Sequence, residues 1–319
     1  MPTLTANGIR IAFDTAGDPK STPLLLLHDL GMQLTAWPEE FVDGLVELGF
    51  YVIRFDHRDS GLSSKFDHAG PSPVWRWLAA HLRLPLRPPY HLDDMARDAL
   101  GVLSALGVAR AHLVGVAMGG MVAQILAARH PRRVLSLTSI MSGSSRRGLP
   151  GPTRAARQAL EALLRPRRSP GGADPDDPQS VTAAIVDATV ALWQATGSPA
   201  YPTPEKQLRR RAARALRRCH CPAGVARQML AVGAAPDRSA LLRTIAVPTL
   251  VIHGAADPLV PPECGAETAA QVPGARFELI EGMGHDLPAQ LNERLLTLID
   301  FHARGKMAPD STPRLFVKQ

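Results

Sequence analysis

The stretch HLVGVAMGGMVAQ, residues 112 to 124, reads as a strand, a sharp turn and a helix, with Gly115 and Gly119 two residues to either side of Ala117. Such a turn lifts its central side chain clear of a sheet, and small flanking residues let strand and helix close on each other. The centre of the turn is the place for a serine nucleophile, and Ala117 occupies it. A non-glycine residue in left-handed backbone costs about 1–2 kcal/mol, and alanine gains no chemistry from that strain, so Ala117 reads as the remnant of a serine. Asp257, in VIHGAADPLVPP, and His285, in LIEGMGHDLP, follow in the order nucleophile position, acid, histidine. In that order the histidine moves the nucleophile's proton, and the aspartate fixes the tautomer and stabilises the imidazolium. Alone, an aspartate before Pro258 is an ordinary turn residue and His285 an ordinary helix entry; their joint spacing argues against both.

Acyl chemistry at such a site also needs two backbone N–H donors aimed at the developing oxyanion. Met118, next after the nucleophile position, supplies one, and Leu30, in the loop LLHDLGMQLTAW, supplies the other. That loop carries Asp29 where a glycine is common. A carboxylate beside an oxyanion is unfavourable unless it points away, is paired, makes a loop hydrogen bond or contacts substrate. His28, Asp29, Arg58 and Trp193 are the candidate substrate contacts, although a tryptophan in the apolar stretch VTAAIVDATVALWQ is also a natural core residue.

The elements that must hold these residues follow from the pattern. TLTANG and IRIAFDTAG form a hairpin turning at Asn7-Gly8. PLLLLHDLG, FYVIRFD, AHLVGV, VLSLTSIM, VPTLVIHG and ARFELIEG are short apolar strands, and PEEFVDGLVELG, HLDDMARDALGVLSALG and GGMVAQILAARH are helical stretches between them. Strand–helix alternation predicts a mostly parallel, eight-stranded sheet with helices on both faces. The rhythm breaks near Ser142 and resumes after about Ala240, so residues 144–240 are expected to be an inserted helical cap on a core of 1–143 and 241–305, with a loose tail from 306 to 319. The segment 65–91, with Trp75 and Trp77, is too long for a plain connection; its tryptophans anchor a long loop or form a second flap.

Charge is unevenly placed. Seventeen Lys and Arg against seven Asp and Glu between Arg146 and Arg243 give +10, out of +7 for the whole chain. In KQLRRRAARALRRC the arginines recur at helical spacing, which reads as a solvated helix face rather than a nucleic-acid surface, or as a field drawing in anions. The three cysteines, Cys219, Cys221 and Cys264, are too few and too odd in number for a disulfide framework, and CHC lacks a second ligand pair, so no metal is expected. No leader-like or membrane-spanning run stands in the sequence. The expectation is a cytoplasmic protein without membrane or nucleic-acid partners; a homo-oligomer is compatible with it.

With these residues in hand, the chain resembles the α/β-hydrolase superfamily, from about residue 3 to 303. VIRFDHRDSGLSS, LTSIMSGS and VPTLVIHGAADPLVP with GMGHDLP are similar to the aclacinomycin methylesterase-like carboxylesterases. The resemblance implies an α/β-hydrolase fold and hydrolysis of a small-molecule carboxylic ester through an acyl-enzyme, with no cofactor. Arg58 and the basic cap fit an ester that also bears a carboxylate. With Ala117 no acyl-enzyme forms, and losing the nucleophile of such a triad removes about 10⁶ in turnover. An engineered serine-to-alanine exchange for trapping substrate accounts for the intact surroundings. The alternatives are a serine-independent His–Asp catalyst (a cofactor-free oxygenase or lyase) and a ligand-binding pseudoenzyme.

Overall fold

The computed structural model describes residues 1–67, 87–164 and 178–306. Trp75 and Trp77 of the expected flap, and the tail after residue 306, lie outside them. The sheet has eight strands: β1 (Thr3–Ala6), β2 (Ile9–Ala16), β3 (Thr22–Leu27), β4 (Phe50–Phe55), β5 (Ala111–Val116), β6 (Val134–Ile140), β7 (Thr249–Gly254) and β8 (Arg276–Ile280). Their order is β1-β2-β4-β3-β5-β6-β7-β8. The first two junctions are antiparallel and the rest parallel. The β1–β2 turn puts both Asn7 and Gly8 at positive φ, 49° and 76°, as a tight two-residue hairpin requires.

The central strands are apolar runs because both their faces are covered. On one face α2 (Leu92–Ala105) and α3 (Met118–Arg129) bury Met95, Val102, Val122 and Leu126. On the other, α1 (Glu39–Glu47) and the last helix, Asn292–Ala303, bury Phe41, Leu45, Leu295 and Leu298. Between β6 and β7 the described residues hold a run of helices: α4 (Arg154–Leu164), α5 (Pro178–Thr196), α6 (Glu205–Arg218), α7 (Pro222–Gly233) and the short α8 (Ser239–Leu242). Helices α9 (Pro262–Gln271) and α10 (Asn292–Ala303) complete the core.

The arginine-rich α6 is not simply a solvated face. Arg211 and Arg214 donate to the carbonyls of Ala36 and Thr35, at 3.3 and 3.2 Å, and Arg218 pairs with buried Asp56 at 2.7 Å. The arginines therefore fasten the inserted helices to the loops after β3 and β4. Arg209, paired with Asp187 and Glu205, and Arg210 and Arg217 of the same helix sit on an exposed face in the expected manner.

Candidate active site

Strand β5 ends in Val116, and α3 begins at Met118; Ala117 makes the corner between them at φ 48°, ψ −112°. That backbone lies outside the regions open to ordinary L-residues, at a cost of about 1–3 kcal/mol. The corner is held from behind. The Ala117 amide donates to the Ile140 carbonyl at 2.9 Å, and Ser142 Oγ donates to the Ala117 carbonyl at 2.9 Å. Gly119 is required here, since a Cβ would stand 2.2 Å from the Leu27 carbonyl oxygen.

Asp257 and His285 come together as their spacing predicts. His285 Nδ1 donates to Asp257 Oδ2 at 2.7 Å. The other carboxylate oxygen accepts the Leu259 and Val260 amides, each at 2.9 Å, so the loop after β7 fixes the acid's orientation. Burial alone would raise the Asp257 carboxyl, but His285, His253 and the loop amide hold it well below the usual carboxylate range. The His285 amide donates to the Thr196 carbonyl at 2.7 Å, which ties the histidine to the last turn of α5.

Asp29 does not point away from this centre. Its Oδ1 accepts the Leu30 amide at 2.5 Å and the Met118 amide at 3.3 Å. These are the two donors expected for an oxyanion, so a carboxylate of the chain itself occupies their focus. Its Oδ2 lies 3.5 Å from His285 Nε2, an ion-pair distance rather than a hydrogen bond. Burial opposes charge on His285, but Asp257 and Asp29, one at each ring nitrogen, outweigh it and lift the imidazole to about 10. The two acidic side chains thus favour the protonated imidazole of His285.

Arg58, Trp193 and His28 are the other expected substrate contacts. Arg58 is closed off: Asp98 takes its guanidinium in two bonds, at 2.6 and 2.7 Å, while Phe66 and Tyr90 lie over it. Both charged groups are buried, so the guanidinium is neutralised by Asp98 inside the core. Trp193 packs with Val186, Val190 and Leu208 between α5 and α6, under the Arg211 guanidinium. His28 is buried against His57, its Nδ1 donating to the Asp29 carbonyl at 3.0 Å, and burial lowers its pKa. It braces the loop from behind.

Sequence reasoning missed the partners that α6 and α7 send to DHRDSG. Asp56 binds Arg218, and Asp59 binds Arg227 in two bonds while also accepting the Tyr90 hydroxyl. Gln228 bridges the Arg58 carbonyl and the Gly31 amide at 2.8 Å each, and so supports the oxyanion loop directly. Pairs more than 160 residues apart leave no local pattern to read.

The α/β hydrolase fold model matches residues 22–289. Rhodomycin D methylesterase DauP of Streptomyces sp. (strain C5) is 32% identical over 328 residues, covering 96% of this chain and 99% of the relative. Rhodomycin D methylesterase DnrP of Streptomyces peucetius is 31% identical with the same coverage. Among solved structures, the enol-lactonase from Burkholderia xenovorans LB400 superposes with a TM-score of 0.69 at 24% identity, covering 94% of this chain and 99% of that one, a likeness of fold. A mostly parallel eight-stranded sheet, a strained corner after β5 and these matches agree: the chain belongs to the α/β-hydrolase fold family and resembles the aclacinomycin-type methylesterases.

Proposed function

We propose that the chain carries the ester site of a methylesterase-type carboxylic-ester hydrolase in which the serine acyl-enzyme route is closed. The observation that carries the reading is Ala117, held at φ 48° beside Met118, whose amide shares the Asp29 carboxylate with His285, itself bonded to Asp257. The ligand is a small ester, and the names of DauP and DnrP point to a methyl ester. The inserted helices, residues 144–240, act as a cap, and Arg227 and Gln228 of α7 latch it to the core. The catalyst needs no cofactor, and its sparse free thiols suit the cytoplasm.

The second reading, a serine-independent catalyst, is favoured by Asp29 beside His285 Nε2. A single engineered exchange at Ala117 would leave Asp29 filling the oxyanion hole of a working serine enzyme. The two departures suit each other, and this favours a site built without serine.

Hydrolysis of short p-nitrophenyl esters by the unaltered chain, Ala117→Ser and Ala117→Ser/Asp29→Gly tests the reading. Slow turnover by the first two and strong hydrolysis by the third is expected. A double variant that folds and remains inert across the ester panel overturns it.

A further inference from the structure

Asp29 has two oxygens in two different settings. Oδ1 is fixed by the Leu30 and Met118 amides, and Oδ2 faces His285 Nε2 at 3.5 Å. The Asp29 side chain is 22% exposed, whereas that of His285 is 4% exposed and that of Asp257 is fully buried. Of the three, the carboxylate on the oxyanion loop is the group a small molecule reaches most readily.

From this geometry we propose that Asp29 is the nucleophile of the site and that it attacks a saturated carbon, not an ester carbonyl. The proposal rests on the reading of the site as a hydrolytic one. The choice of carbon follows from occupancy. Two amides serve one oxygen at a time, and while Asp29 Oδ1 holds them a substrate carbonyl has no donor to polarise it. Displacement at a saturated carbon asks nothing of those donors. They are needed one step later, when Asp29 is itself an ester and its own Oδ1 becomes the oxyanion, already in place.

The substrate class is a methyl or primary alkyl carbon bearing a group that leaves as an anion. In the first step a lone pair of Oδ2 forms the O–C bond and the bond to the leaving group breaks, its electron pair departing with that group. Asp29 loses its charge, so His285 loses one of the two carboxylates holding its second proton. That proton passes to the leaving group, or to solvent where the leaving group is too weak a base. In the second step neutral His285 takes a proton from water through Nε2, and the water oxygen adds to Asp29 Cγ. Collapse breaks the Cγ–O bond to the alkyl group, and His285 returns its proton to the departing alkoxide. The remaining carboxyl proton moves to His285, which regenerates the carboxylate and the imidazolium. The sum is alkyl electrophile plus water to alcohol plus acid. Ala117 fits this scheme, since its methyl group neither competes as a nucleophile nor hydrogen-bonds the carboxylate.

The probe is methyl para-nitrobenzenesulfonate, whose release is followed optically while the protein is read by peptide mass. In heavy-oxygen water the unaltered chain should turn over repeatedly and gain one heavy oxygen in the peptide holding Asp29. His285→Gln should stop after one turnover with a methyl ester on Asp29, and Asp29→Asn should lose about 10³-fold or more in rate. No label at Asp29 in the unaltered chain, or label on another carboxylate, overturns the proposal. Because that readout needs no variant, a misfolded mutant does not obscure it. If Asp29 stays unlabelled while Ala117→Ser/Asp29→Gly hydrolyses esters, this proposal alone fails. If Asp29 is labelled while the double variant is inert, the ester reading alone fails.

Discussion

Asp29 Oδ2 lies 3.5 Å from His285 Nε2, on the side of the imidazole opposite Asp257. The nitrogen that would face a serine hydroxyl in the restored enzyme thus faces a carboxylate, and the same carboxylate fills the oxyanion donors. The centre is occupied by its own chain at both of the places where acyl transfer would need it open.

Restoring serine alone should therefore achieve little. Ala117→Ser is expected to remain weak on p-nitrophenyl esters, and adding Asp29→Gly should raise kcat/KM by on the order of 10²–10³, the worth of an oxyanion contact. Steady-state kinetics of the two variants side by side reads the ratio.

Removing the Asp29 charge should lower the His285 pKa from its value of about 10, because one of the two carboxylates that raise it is gone. Imidazole resonances followed through a pH titration of the unaltered chain and Asp29→Asn show the shift directly. The sign for stability follows. A histidine raised on folding contributes fully below its unfolded pKa, near 6.5, and loses that contribution as pH rises towards about 10. Asp257, held low in the folded protein, acts oppositely, contributing above about 3.9 and less as pH falls. Urea midpoints of the unaltered chain and Asp29→Asn should converge as pH rises from neutral to above ten.

Arg58→Met is expected to destabilise the fold by about 3–5 kcal/mol, since it leaves Asp98 buried without its partner. Ester affinity in the surviving folded fraction should be unchanged, in contrast to what a substrate-anchoring arginine would give. Arg58→Met/Asp98→Leu should recover part of the loss. Denaturation midpoints with ligand titration separate the two roles.

Ala117→Gly should raise the unfolding temperature. Glycine tolerates φ 48°, ψ −112° far better than alanine, and relief of about 1–3 kcal/mol exceeds the 0.5–1 kcal/mol that glycine typically costs in backbone freedom. Calorimetry of the two chains reads the difference, and equal temperatures would mean the corner is unstrained.

The corner at Ala117, the Asp257–His285 pair and the eight strands were legible because each is written locally: small residues around a turn, and short apolar runs at strand spacing. The donors Leu30 and Met118 followed from the same local grammar. The roles of Asp29, Arg58 and the α6 arginines were not legible, for one physical reason. A charged side chain acquires its role from whichever opposite charge folding brings beside it, and Asp98, Asp56 and His285 lie 40, 162 and 256 residues away from their partners. Arg58 read as an open cation because nothing near it in sequence marks Asp98 as its neighbour.

The backbone bond from His285 to the Thr196 carbonyl couples two parts of the molecule that are otherwise described separately. Thr196 is the last residue of α5, and Ser198 just beyond it takes the Gly284 amide at 2.9 Å and donates to Asp286. The residues around the histidine are thus threaded onto the end of an inserted helix by main-chain and hydroxyl contacts. Any tilt of that helix moves the imidazole relative to Asp29 and Asp257, which stand on the core. The end of that helix and the imidazole are thus held by one shared set of contacts.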